Sequence, residues 1–160
     1  MTISVGDKIP SVSVMMATAE GPQKADAADV LGKGKVAFFA VPGAFTPTCS
    51  AKHLPGYVDH YQALKDKGVD TVACLSVNDA FVMGAWGKSQ SVPEGITLLA
   101  DGNGSYAKAL GLEMDATGFG MGIRAKRFAL VAEDGKVTHL FVEQPGEFRV
   151  SSAEAVLEAI

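Results

Sequence analysis

Apolar positions fall in short blocks with different spacing along the chain, and each spacing predicts an element. Lys35 to Val41 is a nearly continuous apolar run closed by Pro42-Gly43, the pattern of a strand buried on both faces and set in the middle of a sheet. A helical stretch follows from Thr46-Pro47 to Lys67-Gly68: Thr is a favourable N-cap, Pro suits the first turn and Gly ends a helix. Pro55-Gly56 should kink or interrupt it. Beyond that point Val58, Tyr61 and Leu64 recur at three-residue steps, so the second half presents one apolar face to the sheet. Residues 69–77 are rich in β-branched side chains and predict a second strand, stopped by Asn78-Asp79, which also cap the next helix. That helix runs through Phe81, Val82, Ala85 and Trp86, and a third strand from Ile96 to Ala100 ends in the turn Asp101-Gly102-Asn103-Gly104. Such alternation implies parallel strands joined by right-handed helical crossovers.

The last third changes character. Phe128–Val131 and Val137–Val142 flank Glu133-Asp134-Gly135-Lys136, and Asp-Gly is a strong signal for a two-residue antiparallel hairpin. Ser151 and Glu154 then have capping-box spacing before an apolar face of Ala153, Val156, Leu157 and Ile160, which predicts a terminal helix. Parallel strand–helix–strand units followed by a hairpin and a helix give an α/β, thioredoxin-like fold. The expectation is a central mixed sheet flanked by helices, with extra N-terminal strands and an inserted helix near Phe81.

Composition narrows the function. A chain of 160 residues with 48% hydrophobic and 20% charged positions is expected to form one domain over residues 1–160 with a true core. The net charge of −4 argues against a phosphate backbone or an anionic membrane as partner. No apolar run approaches the ~20 residues of a membrane span. Residues 1–8 lack the pattern of a secretory signal, so a cytoplasmic location is expected. Two cysteines, Cys49 and Cys74, are too few for a disulfide scaffold or a four-thiolate zinc site, which leaves catalysis as the expected use of cysteine.

In open α/β sheets ligands gather outside the carboxyl ends of the strands, and Cys49 lies in the first strand-to-helix junction. With Thr46 as N-cap, Cys49 takes the third helical position, where unpaired N–H groups and the helix dipole favour a thiolate over a thiol. The Thr46 hydroxyl could accept from the Cys49 N–H and turn its own proton toward a bound oxygen. Pro42 could wall the pocket, although both prolines taken alone read as turn and helix-start punctuation.

Pro42, Thr46 and Cys49 match the Pro-x-x-x-Thr-x-x-Cys signature of peroxiredoxins. The segments Val41–Ser50, His53-Leu54-Pro55-Gly56, Leu75–Asp79 and Arg127-Phe128 resemble the type II, or peroxiredoxin-5, subfamily, and the likeness runs from Val5-Gly6-Asp7 to Ser151-Ser152. The resemblance implies a thiol peroxidase in which Cys49 attacks hydrogen peroxide or an alkyl hydroperoxide and becomes a sulfenic acid. It maps the family's active-site arginine onto Arg127, with Arg124 as the nearby competitor. Without the resemblance, both arginines read as solvated cations. A homodimer is implied as well, and no cofactor or metal.

His53 lies one helical turn after Cys49 and could serve as base in a Cys–His hydrolase, but packing near the site or at a subunit contact is the stronger reading. His60 and His139 read as solvated or structural. Gly118–Gly122 lacks phosphate-loop spacing, and residues 101–112 lack the glycine and glutamate of a calcium loop. Cys74 falls in mid-strand, where cysteine usually acts as a small buried hydrophobe. No cysteine follows it, so an external thiol is expected to resolve the sulfenic acid, with glutathione or glutaredoxin ahead of thioredoxin. A peroxide sensor that relays oxidation, or a chaperone-like module, are the alternative functions on this fold.

Overall fold

The computed structural model describes residues 2–160. An N-terminal hairpin, β1 (Ser13–Thr18) and β2 (Gly21–Asp26), leads through α1 (Ala27–Leu31) into β3 (Lys35–Val41). A helical segment with an irregular first part continues as α2 (Leu54–Asp59) and α3 (Tyr61–Asp66), then β4 (Thr71–Ser76), α4 (Ala80–Ser89), β5 (Ile96–Ala100) and α5 (Ser105–Leu110). A small pair, β6 (Glu113–Asp115) and β7 (Ile123–Ala125), precedes the hairpin β8 (Phe128–Glu133) and β9 (Lys136–Val142), and α6 (Ala153–Ala159) closes the chain. The main sheet has the order β2-β1-β5-β4-β3-β8-β9. Its β3, β4 and β5 are mutually parallel, while β1, β8 and β9 run antiparallel to their neighbours. This is the thioredoxin-like mixed sheet, with the N-terminal hairpin added beside β5.

The period of two along β3 divides the core. Val36, Phe38 and Ala40 enter a cluster closed by α1 and α5, whereas Ala37, Phe39 and Val41 enter a second closed by α2, α3, α4 and α6. Phe38 meets Phe128 edge to face at 5.6 Å on the first side, and Phe39 stacks on Tyr57 at 3.9 Å on the second. Cys49 and Cys74 both belong to the second cluster. The Asp134-Gly135 turn has φ of 47° and 82°, the left-handed pair that a two-residue hairpin requires.

Several boundaries differ from expectation for identifiable reasons. Pro55 does not break α2; it sits in its first turn, where a missing N–H is tolerated. The irregularity comes earlier, as a π-turn over Cys49–His53 in which the Leu54 N–H reaches back to the Cys49 carbonyl. That wider turn relieves the encounter of the Pro55 ring with the carbonyl four residues before it, and a second break falls at His60 between α2 and α3. The cap of α6 is Ser152, whose hydroxyl accepts from the Ala155 N–H at 3.1 Å. Ser151 is engaged elsewhere, so the Ser151–Glu154 capping box does not form. In α4 Met83 and Trp86 are buried, but Phe81 is 75% exposed.

Candidate active site

The backbone between β3 and the first helix is fixed at several points. Gly43 is closely approached: a Cβ there would lie 3.1 Å from Thr46 Cγ2 and 3.3 Å from Arg124 Nη1. Phe45 has φ of 64°, a left-handed conformation that costs a non-glycine residue roughly 1–3 kcal/mol. The neighbouring Ala44 N–H donates to Asn78 Oδ1 at 3.0 Å and the Thr46 N–H to the Gly43 carbonyl at 3.3 Å. Asn78 is itself hydrogen-bonded to Ser76 at the end of β4. The helix opens at Pro47, which puts Cys49 at its third position. Trp86 of α4 steadies this turn from the side, its Nε1–H donating to Ser50 Oγ at 2.9 Å.

Arg127, just before β8, reaches the sulfur: its Nη2–H donates to Cys49 Sγ at 3.1 Å, while its Nη1–H points at His53 Nδ1 at 2.9 Å. The other ring nitrogen, Nε2, lies 2.9 Å from the Ser151 carbonyl. A carbonyl can only accept, so the proton sits on Nε2 and Nδ1 offers its lone pair to the guanidinium. Burial, helped by the adjacent Arg127 charge, pushes the His53 pKa down to about 3, which keeps the ring neutral and able to accept. Phe148 covers the pair, its ring centroid 5.8 Å from the guanidinium carbon and 5.0 Å from the His53 ring. His53 thus packs at the site, and it contacts the arginine instead of acting as a base on the sulfur.

Other predicted residues are placed differently. The Thr46 hydroxyl donates to the Gly43 carbonyl at 2.7 Å; its proton is not turned outward, because the tight turn offers a nearer acceptor. Pro42 ends β3 in the same junction and is half-buried. Cys49 itself has 0% exposure, so the sulfur lies deeper than a position at a helix mouth suggests. Arg124 is committed to backbone carbonyls, Nε to Met121 at 2.9 Å and Nη1 to Val77 at 3.1 Å, which leaves Arg127 as the cation on the sulfur. Cys74, opposite Phe39 in the β3–β4 register, is fully buried, and burial first, then the nearby Cys49, pushes its thiol well above the ordinary range. Asn78, Ser151 and Phe148 were not legible as parts of the site. Asn78 reads as a turn and helix-cap residue, Ser151 as a helix cap, and both Ser151 and Phe148 lie more than 90 residues from Cys49 with nothing local that ties them to it.

Comparison with known proteins places the whole chain in one family. The profile of the Redoxin family matches residues 4–157. Peroxiredoxin-2B of Arabidopsis thaliana is 46% identical over 159 residues, covering 99% of this chain and 98% of that protein. The crystal structure of reduced Prx3 of Vibrio vulnificus in complex with H2O2 superposes with a TM-score of 0.94 at 50% identity, covering 99% of each chain. The Plasmodium falciparum antioxidant protein, a 1-Cys peroxiredoxin, gives 0.92 at 30% identity over 98% of each chain.

The neutral state of His53 makes stability pH-dependent. Its pKa falls from 6.5 in the free side chain to about 3 on folding, so below about pH 6.5 the unfolded chain takes up a proton that the native state refuses. This contribution to stability is complete above that pH and is lost as the pH falls toward 3, with a slope of up to about 1.4 kcal/mol per pH unit. In urea titrations between pH 7 and 4, wild type is expected to lose stability more steeply than His53→Gln; parallel curves would contradict the buried neutral imidazole.

Proposed function

The chain belongs to the Redoxin family and is a peroxiredoxin-type thiol peroxidase, and from that premise we propose that Cys49 is its peroxidatic nucleophile. The observation that carries the assignment is the Arg127 N–H donated to Cys49 Sγ at 3.1 Å at the third position of a helix. In the reaction the thiolate attacks one oxygen of a hydroperoxide. An S–O bond forms as the O–O bond breaks, the sulfur gives up two electrons, and the departing alkoxide or hydroxide takes a proton to leave as alcohol or water.

The donors and acceptors have distinct tasks. Of the five N–H groups of Arg127, two are spent on Cys49 and His53, which leaves others to hold the peroxide and meet the charge that builds on the leaving oxygen. With its proton on Gly43, the Thr46 hydroxyl offers lone pairs that accept the hydroperoxide O–H. Pro42 limits water at the carboxyl end of β3. Because the sulfur has no exposed surface, the small head of hydrogen peroxide or an alkyl hydroperoxide enters by displacing half-buried side chains.

Recycling uses an external thiol. The thiol attacks the sulfenic sulfur, forming a mixed disulfide as water leaves; a second thiol then attacks that disulfide, freeing Cys49 and leaving joined to the first as their disulfide. Glutathione with glutaredoxin, ahead of thioredoxin, is the reductant in this reading, and no cofactor is invoked. Cys74 is the one other thiol in the chain, and its burial and raised pKa make it a poor attacking group. A reducing compartment such as the cytoplasm suits this cycle; no helix among the described residues is long and apolar enough to cross a membrane.

A homodimer is part of the proposal. Phe45, Phe81, Phe119 and Ile123 are 55%, 75%, 88% and 48% exposed. The segments next to them are linked by the Asn78–Ala44, Arg124–Val77 and Arg124–Met121 hydrogen bonds. Large apolar side chains gathered in this way mark an interaction surface, and a second copy of the chain is its occupant.

Two measurements test this reading. With a glutathione and glutaredoxin system, Cys49→Ser should abolish peroxide consumption, while Cys74→Ser should keep it within about twofold of wild type, as expected for a buried residue with no chemical role. A strong loss in Cys74→Ser would assign that thiol to resolution. In solution, light scattering should give a dimer for wild type and a monomer for Phe119→Glu; two monomers, or two equal dimers, would remove the aromatic face as the interface.

A further inference from the structure

Glu143, the residue after β9, has an unusual set of partners. Its backbone N–H donates to the Arg127 carbonyl at 3.0 Å. The residue is 7% exposed, and its carboxylate accepts from the backbone N–H groups of Arg149, Val150 and Ser151 and from the Ser151 hydroxyl, at 2.7 to 2.9 Å. Three successive N–H groups turned toward one anion form a nest, and they fold residues 144–151 back over the site. Burial alone would raise the Glu143 pKa, but the Ser151 hydroxyl and the nest hold it below its ordinary value.

The nest has a second effect. It fixes the Ser151 peptide, whose carbonyl accepts from His53 Nε2–H and from the Tyr57 hydroxyl, both at 2.9 Å. The Ser151 carbonyl sets the tautomer of His53, and the bare Nδ1 of that tautomer holds Arg127. The contacts therefore close on themselves. From the Arg127 carbonyl the path runs to the Glu143 N–H, then by the carboxylate to Ser151, on to His53, and back to the guanidinium of the same arginine. One residue thus anchors Arg127 both at its backbone and, through two intermediates, at its charged end.

We propose that Glu143 is a positioning residue for the peroxidase reaction, closing a ring of contacts that sets the angle at which the Arg127 guanidinium meets Cys49. An arginine side chain held only at its backbone can swing, and misplacing a reacting or stabilising group by about 1 Å costs on the order of 100-fold in rate. The proposal rests on Cys49 being the nucleophile. Neither a shorter Asp nor a neutral Gln reproduces the carboxylate: the first falls short of the nest, and the second loses the charge and turns an NH2 group against an N–H donor of the nest.

The test uses the full chain with Glu143→Gln and Glu143→Ala beside wild type and Cys49→Ser. Stopped-flow reaction with hydrogen peroxide gives the rate, long-range 1H–15N spectra give the His53 tautomer, and thermal melts report folding. Glu143→Ala should react about 10- to 100-fold more slowly and Glu143→Gln about 3- to 10-fold more slowly, with the His53 spectrum moving from a pure Nε2–H form to a mixture. If Glu143→Ala does not fold, Glu143→Gln decides. Rates within twofold of wild type with an unchanged His53 spectrum, whatever the melting temperature, would reduce Glu143 to a structural role. Wild-type peroxide reactivity in Cys49→Ser would instead remove the nucleophile assignment on which the proposal stands.

Discussion

One guanidinium shared between a sulfur and an imidazole organises this protein. Arg127 gives one N–H to Cys49 and another to His53, and the two contacts have different characters. On the sulfur side a positive group meets the atom proposed to react as a thiolate. On the histidine side the partner is a neutral ring, kept so by burial and by the arginine itself. A carboxylate in that place would neutralise the guanidinium and weaken its hold on the sulfur and on an incoming oxygen. The imidazole orients the arginine without cancelling its charge.

The fold supplies this arrangement from three separated parts of the chain. β3 delivers the junction with Cys49 at the carboxyl edge of the sheet, and β8, its antiparallel neighbour, begins immediately after Arg127. The π-turn after Cys49 brings His53 into the second core cluster beside Phe39 and Tyr57. The segment after β9 then returns across the site, bringing Phe148 and Ser151. A regular α-helix in place of the π-turn would rotate His53 relative to Cys49, so Pro55, which favours the wider turn, acts on the site from outside it.

Much of this was legible in the sequence where the signal is local. The buried run of β3, the Asp134-Gly135 hairpin and the alternation of strands and helices all follow from spacing and turn chemistry, and Cys49 with Arg127 followed from the signature and the family resemblance. What could not be read is whatever depends on two distant segments meeting. Ser151 looked like a helix cap because its neighbours have capping spacing, but Ser152 takes that task and Ser151 serves Glu143 and His53. Thr46 looked free to turn its proton outward, yet the turn places the Gly43 carbonyl within reach. The short elements α1, α5, β6 and β7 carry too few residues for periodicity to appear, and the exposure of Phe81 is a matter of tertiary packing that its apolar character does not reveal.

The central claim is that Arg127 serves the incoming oxygens as well as the sulfur, and a ratio of two reactivities of Cys49 tests it. Iodoacetamide requires only the nucleophile, whereas hydrogen peroxide also requires donors for its departing oxygen. In Arg127→Gln the rate with peroxide should fall by about 100-fold or more and the rate with iodoacetamide by less than about tenfold, the difference being the lost stabilisation of the leaving group. Equal losses with both reagents, or an unchanged peroxide rate, would contradict the account.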